Sequence, residues 1–457
     1  MSNQQVTVTA RLKVKPGLEE GFKQEFQPVI ALTLTEEGCI NYDLHQSVED
    51  PSLFLLHENW VSQEILAQHL EQPYIKALSE KSGQFLVEPP EVRLWQQIAN
   101  NSSLVIIMTS RVLLYGATGY AGKLIAASAK NNGLELILAG RNQSLLAAVA
   151  NELSLDFRVF GLDDPQAIAR SLEDIIAVIN CSGPFSKTSK PLVDACLQTK
   201  THYLDIAGEV PEFQALLARD TEAKSAGIML LPGVGFGVVP TDCVAAYLKQ
   251  KLAIATRLIL IYETVGGVSQ GTANTVLPTL HHIGVVREAG KLISSRPASK
   301  RRKIDFGYGP VTAVTNPWRA DIITAFQTTG IPNIEVYTVF PNPVRFLMES
   351  SQYLGWLFNS SLFQSALASL IKTLPTGPTA AERAKGQVRV IGIAEDETGQ
   401  QVSAKLLGPE AYDFTALAAI AVIKRVIKGE VKIGFQTPAS VYGADFVLEI
   451  PGVIGFN

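Results

Sequence analysis

Hydrophobic and polar positions follow one pattern before residue 100 and another after it. Alternating runs predict four strands in the first part, at residues 6–13, 40–46, 53–60 and 85–95. Apolar residues at helical spacing predict helices at 18–35 and after Ser62. The order strand–helix–strand–strand–helix–strand is typical of a ferredoxin-like α+β sandwich with an antiparallel sheet.

From residue 112 the strands become short and almost wholly apolar, as in a parallel sheet that is buried on both faces. Six such runs are predicted as strands, at residues 112–115, 134–139, 158–161, 175–180, 202–206 and 228–231. Helical stretches separate them. We therefore expect an α/β fold, a doubly wound Rossmann sheet that binds its ligand at the carboxyl ends of the strands.

Beyond residue 237 the pattern alternates again, at 257–264 and 388–396, which predicts an inserted α+β domain. A helix predicted at 413–427 is expected to return to the Rossmann sheet. The predicted domains are 1–100 (ferredoxin-like), 108–237 (Rossmann), 238–410 (α+β substrate domain) and 411–457 (the returning segment). The polar stretch 97–103 is the predicted junction, and Met108 stands just ahead of the second module.

The strand at 112–115 runs directly into Gly-Ala-Thr-Gly-Tyr-Ala-Gly at 116–122 and then into a helix. In a dinucleotide-binding turn the first glycine permits the tight turn and the second lets the backbone approach a pyrophosphate. The third lets helix and strand pack closely. We predict cofactor contacts from five residues of this loop, Gly116, Thr118, Gly119, Tyr120 and Gly122. A tight turn without a ligand is the alternative.

Three more strand ends are predicted to contact the cofactor. Arg141 and Asn142 follow the second strand, at the place where an acidic residue would favour NAD. An arginine fork matches the oxygens of a 2′-phosphate instead, which favours NADP(H) over NAD(H). The other candidates are Asp163, beside the adenine, and Ser182, Gly183 and Pro184, along the pyrophosphate and the nicotinamide ribose.

Asp205 and Glu209 lie where the fifth strand ends and the nicotinamide is expected, so we predict them as the catalytic residues. A structural Asp that caps a loop is the alternative. Tyr247 and Lys251 have the Tyr-x-x-x-Lys spacing of short-chain dehydrogenases, but no serine stands about a dozen residues upstream. Cys181 is a further candidate, as a thiol nucleophile.

Composition restricts the class of protein. The chain has 457 residues, of which 47% are hydrophobic and 18% charged, as in a well-buried globular protein. A formal charge of −4 argues against nucleic acid as a partner. The four cysteines are far apart and the histidines unclustered, so we expect a reducing compartment and no metal site. Without a signal-peptide pattern or a long apolar run, the expected location is cytoplasmic.

The motifs Glu-Gly-Cys-Ile-Asn-Tyr (37–42) and Glu-Asn-Trp (58–60), together with His69, resemble the antibiotic biosynthesis monooxygenase family over residues 5–96. That family includes cofactor-free oxygenases, haem-degrading enzymes and small dimers. Its haem degraders use a Trp and a His at a spacing similar to that of Trp60 and His69, with an Asn on the first strand. Here the first strand offers only Thr7, Thr9 and Arg11. The resemblance implies a homodimer, with dimerisation, a substrate lid or oxygenation as the role of this domain.

A second set of motifs lies at 116–122, 180–185, 202–209, 240–242, 329–333, 377–378, 434–438 and 442–445. Over residues 108–457 they resemble the saccharopine dehydrogenase-like NADP-binding oxidoreductases, in particular their trans-acting enoyl reductase branch. One departure is Gly237, which stands where that branch is expected to carry Asp. The resemblance implies an NADP(H)-dependent oxidoreductase.

Residues and resemblance together predict reduction of an enoyl or keto group in a small apolar or lipid-like molecule. The uncharged, aromatic-rich segment 350–371 favours such a substrate over saccharopine, and it is also suited to peripheral contact with a membrane. Ordinary packing of this segment is the alternative. One alternative, motivated by Gly237, is a non-catalytic NADP(H)-binding dimeric scaffold or sensor. Another is a true saccharopine-type amino-acid dehydrogenase. The basic run 300–303 is expected to be a solvated loop or, alternatively, a clamp for an acidic substrate.

Overall fold

The computed structural model describes residues 6–96, 111–277, 282–358 and 360–456. The chain forms two compact units, Met1–Val105 and Ile106–Asn457. The predicted junction at 97–103 and Met108 lie outside the described residues.

The first unit is an antiparallel sheet packed against helices. Over its described residues the strand order is β2-β3-β1-β4. The elements are β1 (Val6–Lys13), α1 (Glu19–Thr33), β2 (Cys39–Gln46), β3 (Leu53–Trp60), α2 (Gln63–Leu70), α3 (Pro73–Phe85) and β4 (Glu91–Gln96). Strand alternation buries Val8, Phe54 and Trp60 in one apolar cluster with Phe22 and Phe26 of α1. The predicted ferredoxin-like fold is confirmed.

The last strand of this unit begins later than predicted. Phe85 ends α3, and β4 starts only at Glu91. Pro89 and Pro90 stand immediately before β4 and have no N–H for a sheet ladder, so the continuous ladder of β4 starts after them, preceded by an isolated bridge between Val14 and Leu86. Pro73 begins α3, because proline suits the first turn of a helix.

The second unit begins with the predicted Rossmann sheet. Its elements are β5 (Val112–Tyr115), α4 (Tyr120–Asn131), β6 (Leu136–Gly140), α5 (Gln143–Leu153), β7 (Phe157–Val159), α6 (Pro165–Arg170), β8 (Ala177–Asn180), α7 (Phe185–Thr199), β9 (His202–Asp205), α8 (Val210–Leu217), α9 (Asp220–Ala226) and β10 (Met229–Leu231). Every pairing between these strands is parallel. The predicted α/β class is confirmed.

A second, mixed sheet follows in the same unit. Its elements are α10 (Val239–Lys251), β11 (Arg257–Val265), α11 (Gln270–Val276), β12 (Gly284–Glu288), β13 (Lys291–Ser295), β14 (Arg301–Asp305), β15 (Pro310–Thr315), α12 (Asp321–Thr329), β16 (Asn333–Val339), α13 (Asn342–Phe358), α14 (Ser361–Thr373), α15 (Ala380–Arg383), β17 (Gln387–Glu395) and β18 (Gln401–Pro409). The strand order is β13-β12-β16-β11-β17-β18-β20, where β20 is Ile454–Gly455 near the end of the chain, and β15 joins β14 to β16.

The C-terminal segment contributes to both sheets. It consists of α16 (Ala411–Ile427), β19 (Gly434–Phe435), α17 (Pro438–Tyr442), a 3-10 helix (Ala444–Glu449) and β20 (Ile454–Gly455). β19 extends the Rossmann sheet, whose order in the described chain is β19-β10-β9-β8-β5-β6-β7, so this sheet has one strand more than predicted. A two-residue strand is too short to leave a periodic signal in the sequence.

One apolar cluster runs through all the segments predicted as separate domains of this unit. It contains Leu114 of β5, Leu260 of β11 and Phe414 of α16, and α16 packs against α4. The boundaries at 237/238 and 410/411 therefore stay a prediction.

The basic run 300–303 is not a solvated loop. Arg301 opens β14, because its neighbours pair with β15. Lys300 binds Glu335, Arg301 Nη2 lies 2.9 Å from Glu349 Oε2, and Arg302 stacks over the Tyr337 ring. Lys300, Arg301 and Arg302 are therefore engaged by acidic and aromatic groups of the chain itself, while Lys303 is exposed.

The segment 350–371 forms the end of α13 and most of α14. The side chains of Tyr353, Leu354, Trp356, Leu357 and Phe358 lie outside the described residues. Just before the segment Phe346 is 71% exposed, and near its end Leu370 is 59% exposed. Throughout the described chain we find no helix with both the length and the apolar character needed to cross a bilayer.

A buried carboxylate ties α10 to the C-terminal segment. Asp242, which is fully buried, accepts hydrogen bonds from Thr328 Oγ1 (2.6 Å) and Ala439 N (2.8 Å). Burial raises the pKa of Asp242 to about 6. The motif 240–242 therefore meets the chain immediately after the motif 434–438 for a structural reason.

Replacing Asp242 by Ala should lower the free energy of unfolding by about 2–5 kcal/mol, because two buried donors lose their acceptor. Urea unfolding measures the change, and Glu397→Ala, at an exposed position, serves as the control. Equal stability of the two variants would show that the carboxylate is dispensable.

Candidate functional site

The glycine loop after β5 is held by two close backbone approaches. Gly116 has φ +87°, and a Cβ there would lie 2.8 Å from Ser182 N. A Cβ on Gly122 would lie 2.3 Å from Gly116 O. Glycine is therefore required at both positions, as predicted for a turn that packs a helix against a strand.

The start of α4 is open to an anion. Gly119 is the N-cap residue of α4, and no side chain caps this end in the described structure. Thr118 is half-buried and Gly119 exposed on the loop. The first N–H groups of a helix have no partner within the helix and carry its positive dipole end, so this loop has the geometry to bind a phosphate.

The side chain of Tyr120 is bound by other residues of the chain. Its hydroxyl donates to Pro378 O and accepts from Arg383 Nη1 at 2.9 Å, and its ring meets Tyr412 edge-on at 4.9 Å. A Cβ on Gly377 would lie 2.4 Å from the Tyr120 ring. The Tyr120 side chain therefore holds the Gly377–Pro378 segment against the loop, and a contact with the cofactor is left to its backbone.

The end of β6 forms an open cleft of about 750 Å³, lined by Arg141, Asn142, Gln143, Ser144 and Ala147. Asn142 Oδ1 accepts from Leu145 N at 3.1 Å, so this side chain caps α5. Arg141 is exposed, and no ion pair engages it within the described residues. Its guanidinium is therefore free to meet a ligand. Asp163, after β7, is also exposed.

The loop after β8 is fixed from behind by a residue that the sequence analysis did not single out. Asn180 is fully buried, and its Oδ1 accepts from Ser182 N at 3.0 Å. Its Nδ2 donates to Thr188 Oγ1 and Tyr203 OH. This leaves Ser182 half-buried, with Gly183 and Pro184 exposed. In the sequence, Asn180 is one amide at the end of an apolar strand and the first residue of the motif 180–185.

Cys181 is poorly suited to be a nucleophile. Burial raises the pKa of its thiol, and the Asp205 carboxylate raises it further. The thiolate, which is the reactive form, is therefore disfavoured at neutral pH.

Asp205 closes the ends of β9 and β10. It is fully buried, and its Oδ1 accepts from Ala207 N (3.0 Å) and Gly233 N (2.9 Å). Burial raises its pKa to about 7, and Oδ2 has no partner in the described structure. A carboxyl in this position shapes the loop and is closed off from a substrate, which favours the structural alternative for Asp205.

Glu209 is half-buried beside that loop, and its Oε2 accepts from Gly208 N at 2.8 Å. The catalytic role of Asp205 and Glu209 stays a prediction.

Tyr247 stacks on Phe456 with ring centroids 4.2 Å apart, and Lys251 lies over the Tyr247 ring, which is the packing of an ordinary helix.

Arg319 reaches the same loops from the second sheet and was missed in the sequence. Its Nε lies 2.8 Å from Oδ2 of the buried Asp321, its Nη2 donates to Gly237 O, and its guanidinium stacks over Tyr262. A Cβ on Gly237 would meet no atom closer than 3.5 Å, so the backbone does not require glycine there. No local motif marks Arg319: Asp321 is two residues away, but Gly237 and Tyr262 come from distant segments.

In the first unit Trp60 and His69 pack together, with ring centroids 4.5 Å apart, and both are almost fully buried. Trp60 Nε1 donates to Glu58 Oε2 at 2.9 Å, and His69 Nδ1 lies 2.7 Å from Glu36 Oε1. Thr7, Thr9 and Arg11 alternate with the buried residues of β1 and so lie on the other face of the sheet. The pair thus belongs to the core, with two carboxyl groups beside it.

Family comparisons agree with both halves of this description. The antibiotic biosynthesis monooxygenase family matches residues 5–81. The saccharopine dehydrogenase NADP-binding domain matches residues 112–231. The chain thus joins an antibiotic biosynthesis monooxygenase domain to a saccharopine dehydrogenase NADP-binding domain. Both resemblances expected from the sequence are confirmed, and the second domain is of a kind that binds a nicotinamide cofactor.

Individual proteins extend the likeness along the chain. A Mycobacterium tuberculosis protein named "Putative trans-acting enoyl reductase" is 24% identical over 401 aligned residues, covering 74% of this chain and 95% of that protein. A rat "Saccharopine dehydrogenase-like oxidoreductase" is 24% identical over 163 residues, which span 31% of this chain and only 38% of the relative. The relatives are oxidoreductases by description.

Among solved structures, saccharopine dehydrogenase (L-Glu forming) from Saccharomyces cerevisiae superposes with a TM-score of 0.52. It is 14% identical and covers 74% of this chain and 96% of its own. This likeness shows a shared fold for the second unit.

The monooxygenase-type domain should become less stable as pH rises. Burial raises the pKa of Glu58 from 4.5 to about 7, so folding favours its protonated form, and that stability is lost as pH rises through 7. Glu58→Gln should therefore gain stability over the wild type above pH 7, by up to about 3 kcal/mol, and lose this advantage below pH 4.5.

Urea unfolding read by hydrogen exchange of residues 53–60 measures this difference. Glu80→Gln, at an exposed position of α3, is the control and should show no such trend. A Glu58→Gln advantage that is the same at every pH would refute the assignment.

Proposed function

We propose that the chain is an NADP(H)-dependent oxidoreductase that reduces an enoyl or keto group of a small apolar or lipid-like molecule. The observation that carries the proposal is the glycine loop, whose two required glycines and uncapped helix form a cradle for a pyrophosphate. The bound nicotinamide would supply the hydride. The protein's own residues would hold the dinucleotide, orient the substrate and exclude water.

The assigned cofactor residues fit a dinucleotide laid across the carboxyl edge of the sheet. Backbone groups of Gly116, Gly119 and Gly122 would receive the phosphates. The exposed loop at Ser182–Pro184 would follow the pyrophosphate towards the nicotinamide ribose. The free guanidinium of Arg141 supports NADP(H) over NAD(H), because it offers planar paired donors to a 2′-phosphate.

Support for an apolar substrate comes from α13 and α14. Phe346 and Leu370 on these helices are exposed, and exposed apolar side chains on helices suit a lipid-like ligand or a membrane surface. The name of the mycobacterial relative also points to an enoyl substrate. We propose peripheral contact with a membrane through these helices, in a cytoplasmic protein.

For the first unit we propose homodimerisation. Its edge strand β4 exposes Val92 (54%), Leu94 (57%) and Trp95 (48%). An exposed apolar edge strand of this kind is suited to contact a second copy of the chain. Oxygenation has less support, because Trp60 and His69 are closed off from solvent.

A second candidate function is a non-catalytic NADP(H)-binding scaffold or sensor. Two observations favour it: Asp205 is fully buried with its Oδ1 bound to backbone N–H groups, and Gly237 offers no side chain. Incubation of the full chain with NADPH and a panel of long-chain enoyl and keto thioesters separates the two. Sustained oxidation of NADPH supports the reductase, whereas tight binding without turnover on the whole panel supports the scaffold.

Arg141→Gln should weaken NADPH binding by about 10–100-fold, because one charge-assisted contact to a phosphate is worth about 1.5–3 kcal/mol. NADH binding should not change. Arg170→Gln, at an exposed arginine of α6, is the control. Fluorescence titration measures both nucleotides, and an equal loss for NADH and NADPH would show that Arg141 does not read the 2′-phosphate.

A further inference from the structure

Backbone hydrogen bonds around Arg319 hold it at the crevice. Residues 209 and 319 form an isolated antiparallel bridge, and Ala320 N donates to Gly208 O at 2.9 Å. This places Arg319 at the carboxyl ends of β9 and β10. In a doubly wound sheet that edge faces the ligand, and these strands lie on the side of β8 away from the adenosine end.

Two of the three nitrogens of the Arg319 guanidinium are engaged. Asp321 binds Nε, and the carbonyl of Gly237 accepts from Nη2. For Nη1 we find no hydrogen-bond partner among the described residues, and the side chain keeps 16% of its surface exposed. Asp321, Tyr262 and Glu209 outweigh the effect of burial and raise the pKa of Arg319, so the guanidinium keeps its proton.

A glycine leaves this third nitrogen uncovered. The missing Cβ of Gly208 would lie only 3.3 Å from Arg319 Nη1. Gly208 does not have the left-handed backbone conformation that would demand glycine. Because Gly208 has no side chain, Arg319 Nη1 stays uncovered as a hydrogen-bond donor at the carboxyl edge of the sheet.

We propose that Arg319 Nη1 binds an oxygen of the substrate that carries negative charge, either a carboxylate or a carbonyl oxygen that gains charge when the neighbouring carbon is reduced. Ion pair and ring stacking hold the guanidinium in place, so it fixes the orientation of the substrate. The inference rests on the proposed function, because it takes the nicotinamide to lie beside β9. Arg319 is then the residue that binds the substrate next to the nicotinamide.

The test uses decanoate and 2-undecanone as the carboxylate and carbonyl probes, each titrated calorimetrically into the full chain with and without NADP⁺. Wild-type protein should bind decanoate, and Arg319→Gln should bind it at least about 10-fold more weakly. Because Arg319→Gln leaves buried Asp321 without its partner and can fail to fold, Gly208→Ala is the second variant. It keeps the ion pair, covers Nη1 and should cause a similar loss.

Gly83→Ala is the matched control, because a Cβ there meets no atom within 4 Å and the position lies in α3 of the first unit. If Arg319→Gln and Gly208→Ala weaken the binding of 2-undecanone as much as that of decanoate, the site also accepts neutral carbonyl groups. If they leave the affinity for 2-undecanone unchanged, the site is restricted to carboxylates. The inference is overturned if neither probe binds the wild type, or if Gly208→Ala binds both as tightly as Gly83→Ala does. If decanoate binding depends on Arg319 but the protein does not bind NADPH, the proposed reductase is refuted and the anion site at Arg319 is supported.

Discussion

Close contact between three backbone segments constrains the ligand edge of the second unit. Gly116 touches the loop after β8, and Gly122 touches the carbonyl of Gly116, with no room for a Cβ at either place. Strand, turn and helix are thereby locked at one separation. The free N–H groups of α4 point from this junction into the crevice, so the capacity to bind a phosphate follows from the packing itself.

Buried polar groups then set the loops around that junction. Asn180 holds the loop after β8, and Asp205 joins the ends of β9 and β10. Each is fully buried and bound to backbone donors, so replacing either would leave amides unpaired in the core. These residues act on function through loop shape, and Arg319 is a charged side chain that keeps an exposed part at the edge they create.

Local patterns in the sequence were sufficient for the fold of both units. Alternation at β1 and β3 and the continuous apolar runs at β5 and β8 carry enough information, because burial dictates them. Proline explains the error at β4, whose start was placed before Pro89 and Pro90. β19 could not be predicted, since two residues carry no period.

The candidate site was predictable where it is local and unpredictable where it is not. Gly116 and Gly122 lie in one motif, and their steric roles are those expected. Asp205 was chosen for its position at a strand end, but its burial could not be read from the sequence. Asp321 is only two residues from Arg319, but the contacts of Arg319 with Gly237 and Tyr262 are made only when the chain folds.

Titration of the full chain with NADPH, followed by nicotinamide fluorescence, shows whether the glycine loop binds a dinucleotide. We expect saturable binding with a dissociation constant below about 100 µM. We also expect a loss of at least about 10-fold in Gly122→Ala, whose Cβ has no room beside Gly116 O. No saturable signal for the wild type, or equal affinity for the variant, would contradict dinucleotide binding by the glycine loop.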